Sequence, residues 1–308
     1  MYFHIPAPIT IVFLVTIIPS TAILAIPNDY FDNPTIAYGQ TDQTIFNNLN
    51  PLNIQNIPVK KVHVGDIDIA YKIFGKGGPI LLISAAGMNM DAWEPSILRN
   101  LSSNHTVIVF DSRGVGNTTT GTKPFSVQQY ANDTVGLLDA LKIQKADVLG
   151  FSQGSFTAQE LALTHPEKVE RLILYAASCG GKESISPSPE FFKSSRAYIS
   201  NLSKGVITPH PGFTLNTVMQ QNKVVLSWLA TNWSGICDQL RGISKPTLII
   251  AGTDDDVVPS SNSLVIATKI PGAWVVQIRN AGHDLMYQYP VKFNKVLQTF
   301  LSTTINPG

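Results

Sequence analysis

The sequence predicts an α/β protein: a mostly parallel sheet with helices on both faces and a helical lid inserted between two strands. Three observations carry this prediction. From Ile80 onward, short apolar runs such as Ile80-Leu81-Leu82-Ile83 and Val107-Ile108-Val109-Phe110 are continuous rather than alternating, as in strands covered on both faces. These runs alternate with longer segments whose apolar residues recur at helical spacing, and strand-helix-strand-helix order requires parallel pairing. Finally, Val148-Leu149-Gly150-Phe151-Ser152-Gln153-Gly154-Ser155 joins a strand to a helix through a turn too tight for most side chains.

Taken in order, the chain opens on residues 5–26, which carry no charge, and within them 9–18 are almost wholly apolar. That composition fits a signal peptide or N-terminal membrane anchor over residues 1–26, although Met1-Tyr2-Phe3-His4 lacks the usual lysine or arginine. It implies an exported protein, secreted or attached to the outer face of the cytoplasmic membrane. Residues 27–57 are rich in Asn, Gln, Pro, Asp and Thr and read as a polar linker, leaving 58–308 as the folded domain. Residues 59–64 and 67–73 alternate around Gly65-Asp66 and predict an antiparallel pair. The parallel pattern follows: strands at 80–83, 106–110, 146–151 and 169–175, with helices at 92–101, 127–141 and 153–164. Residues 179–243 break this rhythm with Gly, Pro and Ser and two helical stretches near 191–202 and 215–229, which predicts the lid. Strands at 246–251 and 273–278 and helices at 261–269 and 289–301 complete the domain.

Composition narrows the functional classes. With 308 residues, 44% hydrophobic and 14% charged, the chain buries one large core. Its 22 basic and 21 acidic residues are spread without a basic block, so nucleic acid is not an expected partner. The six histidines are scattered and the two cysteines lack metal-site spacing, so neither a metal nor another cofactor is expected. Cys179 and Cys237 flank the insertion; they either tie the base of the lid in an oxidising compartment or remain two separate thiols. Six Asn-x-Ser/Thr sequons, beginning at Asn100, Asn104, Asn117, Asn132, Asn201 and Asn232, permit glycosylation along a secretory route.

The chemistry centres on Ser152. Gly150 and Gly154 stand two positions either side of it, an arrangement that lifts a serine hydroxyl above a sheet edge. A serine attacks a carbonyl usefully only when a base removes its proton, and a histidine held by a carboxylate is the usual solution. Of the histidines, His283 lies on a loop right after a predicted strand, in Asn280-Ala281-Gly282-His283-Asp284. The acid belongs on another post-strand loop, Gly252-Thr253-Asp254-Asp255-Asp256, where spacing leaves three aspartates open. Oxyanion donors are expected from the backbone N–H of Gln153 and from the loop Ser84-Ala85-Ala86-Gly87-Met88.

Over about residues 59–301 these features resemble the α/β-hydrolase superfamily. Beyond the Gly-x-Ser-x-Gly elbow, Asp111-Ser112-Arg113-Gly114-Val115-Gly116 is similar to the family's Asp-x-Arg-Gly-x-Gly loop, Pro166-Glu167-Lys168-Val169 to its helix-to-strand passage, and Gly282-His283 to its histidine loop. The family's Gly-x-x-Asp followed by Pro four positions later selects Asp255, between Gly252 and Pro259, with Asp254 and Asp256 as fallbacks. Ala86 becomes the second oxyanion donor by position, because Ser84-Ala85 stands where many members have His-Gly. By the same resemblance Asp111 and Arg113 are structural, while Met88, Met90 and Trp93 either line an acyl pocket or belong to the core. A serine nucleophile implies acyl transfer to water on a small substrate with an acyl or carbonyl group: an ester or lactone first, then a thioester, an amide or a carbon–carbon bond beside a ketone. The alternatives are a non-catalytic ligand-binding or receptor protein on the same fold, and cofactor-free haloperoxidase or perhydrolase activity.

Overall fold

The computed structural model describes residues 54–303 together with the backbone of 22–23. Apart from 22–23, which pair with the sheet, the proposed leader lies outside the described residues, as does most of the linker. Among the described residues no helix is long and apolar enough to cross a membrane.

Among the described residues nine strands form one sheet: β1 (Ala22–Ile23), β2 (Lys60–Val64), β3 (Ile67–Gly75), β4 (Gly78–Ile83), β5 (His105–Phe110), β6 (Ala146–Phe151), β7 (Val169–Tyr175), β8 (Thr247–Gly252) and β9 (Trp274–Ile278). Their order across the sheet is β1-β9-β8-β7-β6-β4-β5-β3-β2. β2 pairs antiparallel with β3, and β3 antiparallel with β5; every other pairing is parallel. The alternating pattern of residues 59–73 thus became the half-exposed hairpin edge, and the continuous apolar runs became the covered centre.

The helices are α1 (Pro95–Ser102), α2 (Val127–Ala140), α3 (Gln153–Thr164), α4 (Pro189–Ser203), α5 (Leu215–Leu229), α6 (Ser261–Lys269), α7 (Leu285–Gln288) and α8 (Pro290–Ser302). Successive residues of β4 serve opposite faces of the sheet. Leu81 and Ile83 enter the core shared with α2, α3 and the lid, whereas Ile80 and Leu82 enter the core shared with α1 and α8. α3 is buried at Gln153 through Gln159, as expected for a helix with no solvent stripe.

Two expectations are adjusted. The helix expected over 92–101 is a 3-10 turn at Met90–Ala92, a break at Trp93, and then α1 starting on Pro95. Proline is preorganised for the first helical position, and Glu94 caps it by accepting from the N–H groups of Ser96 and Ile97. The end of the linker is also tied down: Ile54 is buried, and its carbonyl accepts a hydrogen bond from Lys72 Nζ at 2.8 Å. Lys72 is itself buried in β3 and pairs with Asp91 at 2.6 Å, which meets the requirement that a buried ammonium be matched.

Candidate active site

The elbow is built by close backbone approach. A Cβ on Gly150 would stand 2.3 Å from the Gly154 carbonyl oxygen, and one on Gly154 would stand 2.0 Å from that of Ile83. Both are far inside contact distance, so only glycine lets α3 start directly against β4 and β6. Between them Ser152 takes φ 52° and ψ −117°, a costly conformation for a residue with a Cβ. It is held there by its N–H, which donates to Tyr175 O at 2.9 Å, and by its carbonyl, which accepts from Ser155 N at 2.8 Å and Ser155 Oγ at 2.6 Å.

One consequence bears on reactivity. A serine at a helix N-cap ordinarily spends its hydroxyl on the first turn, but Ser152 makes no side-chain capping bond. Its Oγ is left free of the helix at the positive end of the α3 dipole. The Gln153 N–H, at the first helical position, has no intrahelical acceptor and faces the same end.

His283 and Asp255 come from adjacent loops. His283 Nδ1 lies 2.8 Å from Asp255 Oδ2, with the Asp255 side chain fully buried and the imidazole 17% exposed. Asp255 Oδ1 accepts from the N–H groups of Val257 at 2.9 Å and Val258 at 2.7 Å. A carboxylate so engaged accepts a hydrogen bond from Nδ1–H, which leaves Nε2 as the lone-pair nitrogen on the opposite side. The two loops are stitched by Asp254 N to Ala281 O at 2.8 Å and Asn280 N to Thr253 Oγ1 at 2.9 Å. Asp254 and Asp256 are both exposed; Asp254 accepts from Thr253 Oγ1, and the Asp256 carbonyl accepts from Ser188 N.

Aromatic packing brings the histidine to the elbow. Phe151, the residue before the serine, has its ring centroid 5.2 Å from that of His283 and is stacked on Tyr175 at 4.3 Å. The Tyr175 hydroxyl donates to the His283 carbonyl at 2.5 Å and accepts from Met286 N at 3.2 Å. Burial pushes the Tyr175 phenol well above its usual range, so the donor stays protonated. Among the described residues no hydrogen bond joins Ser152 Oγ to the imidazole; such contacts commonly tighten only around substrate. Tyr175 and Phe151 were invisible as site residues in the sequence, where each reads as one more apolar strand position.

Ala86 sits in a turn closed by Met88 N to Ala85 O at 3.2 Å, at the end of β4 and beside the elbow. Met90 and Trp93 are core: both are almost fully buried, and Trp93 Nε1 donates to Ser84 Oγ at 3.1 Å. Asp111 and Arg113 organise the loop after β5. Asp111 accepts from Met90 N and Asn117 N, while Arg113 forms paired bonds with Asp133 and with Asp66. Among the described residues no group of three or more His, Cys, Asp or Glu side chains is arranged to hold a metal ion. Cys179 and Cys237 form a disulfide, with Cα atoms 5.0 Å apart, across the base of the lid.

Residues 78–206 match the family model for the α/β hydrolase fold. The chain is 27% identical over 267 residues to a pyrrolizixenacetamide deacetylase of Xenorhabdus hominickii, covering 79% of this chain and 98% of that relative. It is 25% identical over 254 residues to 3-oxoadipate enol-lactonase 2 of Acinetobacter baylyi, covering 77% and 94%. Among solved structures, an α/β hydrolase fold protein from Chitinophaga pinensis superposes with a TM-score of 0.70 at 24% identity, over 81% of this chain and 98% of that one. With its strand order, its elbow on β6 and these likenesses, the chain has the α/β-hydrolase fold, and its residues 78–206 are similar to the family that carries it.

Proposed function

We propose that this protein is a serine hydrolase that cleaves a small ester or lactone through an acyl-enzyme. The observation that carries the reading is the Asp255–His283 pair, 2.8 Å apart, beside a serine whose hydroxyl its own helix does not use. Ser152 Oγ attacks the carbonyl carbon while His283 Nε2 takes its proton, and Asp255 holds the imidazolium that forms. The oxyanion accepts from the N–H groups of Gln153 and Ala86. The C–O bond to the leaving alkoxide then breaks as His283 returns the proton to it. Water, deprotonated by His283, attacks the acyl carbon, and Ser152 departs with that proton. Relatives named as a deacetylase and an enol-lactonase support acyl transfer as the shared chemistry.

The apolar leader and the Cys179–Cys237 bridge support an exported enzyme, because disulfides persist in oxidising compartments. The test is labelling with a fluorophosphonate, together with turnover of esters of graded acyl length, lactones and β-diketones. The wild-type chain is expected to be labelled at Ser152, and Ser152→Ala to lose both labelling and turnover. A chain that is neither labelled nor active across that panel is not a serine hydrolase.

A further inference from the structure

The lid helix α5 reaches the body with one face. Thr217 and Gln221, four residues apart and both buried, point the same way. Thr217 Oγ1 donates to Gly114 O at 2.8 Å, in the loop after β5. Gln221 Oε1 accepts from Gly87 N at 3.0 Å, in the turn that carries Ala86. The amide is oriented by this contact, since a backbone N–H requires the carbonyl oxygen of the side chain.

Ala85 to Met88 close a four-residue turn, and Gly87, its third residue, has φ +77°, the type II geometry that glycine favours. A type I turn would carry the Gly87 N–H to the opposite face, so the bond to Gln221 favours the type II form. The body holds the near side of the turn through Trp93 Nε1 on Ser84 Oγ. Gln221 holds the far side.

From this geometry we infer that Gln221 is a positioning residue carried by the lid: by holding the Gly87 N–H it anchors the turn of residues 85–88 and, with it, the adjoining Ala85–Ala86 peptide whose N–H is proposed to serve the oxyanion, so the oxyanion site is held firmly only with α5 seated. The inference rests on the hydrolase reading above. It makes the lid a determinant of kcat as well as a cover, since an acyl group that pushes α5 outward also withdraws the acceptor of Gly87.

The test compares Gln221→Met, Gly87→Ala, their double variant and Thr217→Val, each first shown by thermal unfolding to be folded. Gln221→Met keeps side-chain volume and removes the acceptor. It is expected to lower kcat on a short ester about tenfold and to slow fluorophosphonate inactivation in parallel, with KM changed by less than about twofold. Gly87→Ala disfavours the same peptide orientation, so the double variant is expected within about twofold of the worse single variant. Thr217→Val removes the other lid bond on that face and is expected to leave kcat within about twofold. An active wild type with Gln221→Met unchanged, with single-variant effects that multiply, or with Thr217→Val equally slow overturns the inference while the hydrolase reading stands. A wild type that is neither active nor labelled overturns both.

Discussion

At the residue scale, three consecutive aspartates follow β8 and one of them faces His283. Asp255 is the buried member, with one oxygen engaged by the Val257 and Val258 N–H groups and the other by the imidazole. Its neighbours on either side are exposed and serve the loop. Asp255→Asn presents an amide that cannot hold the Nδ1 proton as a carboxylate does, so kcat is expected to fall about a thousandfold or more. Asp254→Asn and Asp256→Asn are expected within about threefold of wild type, because neither side chain reaches the imidazole. Steady-state kinetics on one ester settles the assignment; an Asp254 or Asp256 variant as slow as Asp255→Asn overturns it. Family spacing singled out Asp255, while the residues alone left all three open. The reason is that neighbours along a loop differ in burial and orientation, and composition does not encode either.

At the element scale, the lid is uneven. α5 sends Val224, Val225, Trp228 and Leu229 into the same core as the central strands, whereas α4 buries only Leu202. Its apolar spacing made 215–229 legible as a helix at the observed bounds, since amphipathic periodicity is a local property. The ends of the lid are held by Ile236 N to Cys179 O at 2.9 Å, Lys182 N to Trp233 O at 3.0 Å, and the disulfide. A bridge closing a 58-residue separation removes chain entropy from the unfolded state and is expected to contribute about 4 kcal/mol. Cys179→Ala/Cys237→Ala should therefore unfold at lower temperature than the oxidised protein and match the reduced wild type. Equal melting of oxidised and reduced protein would show that the bridge contributes nothing.

At the scale of the whole molecule, the two ends of the sheet are built differently. Loops after β4, β6, β8 and β9 gather the proposed chemistry at the edge where parallel strands release their chain. At the opposite end Asp147, the second residue of β6, is buried with Oδ1 unpartnered; Arg171 Nη1 stands 3.7 Å and His105 Nε2 3.9 Å from its other oxygen. Burial pushes the Asp147 carboxyl up to about 6, while Arg171 opposes that rise. A carboxyl that binds its proton more tightly when folded favours the fold below its unfolded value of 3.8 and loses that contribution as pH rises through about 6. Asp147→Asn is thus expected to be more stable than wild type at pH 7–8, by about 2 kcal/mol, with the gain vanishing below about pH 4. Urea unfolding across that range measures it; a variant less stable at neutral pH would mean that the charge is compensated by Arg171.

Much of this molecule is legible in its sequence. The strand and helix order, the elbow around Ser152 and the histidine loop at His283 are short-range patterns, set by apolar period and by glycines within a few residues. The contacts that complete the site are of another kind. Asp255 meets His283 across 28 residues, Tyr175 holds the His283 carbonyl across 108, Gln221 reaches Gly87 across 134, and Cys179 joins Cys237 across 58. Separation along the chain carries no distance in space, so those partners are chosen only when the strands align in register and the lid packs onto them.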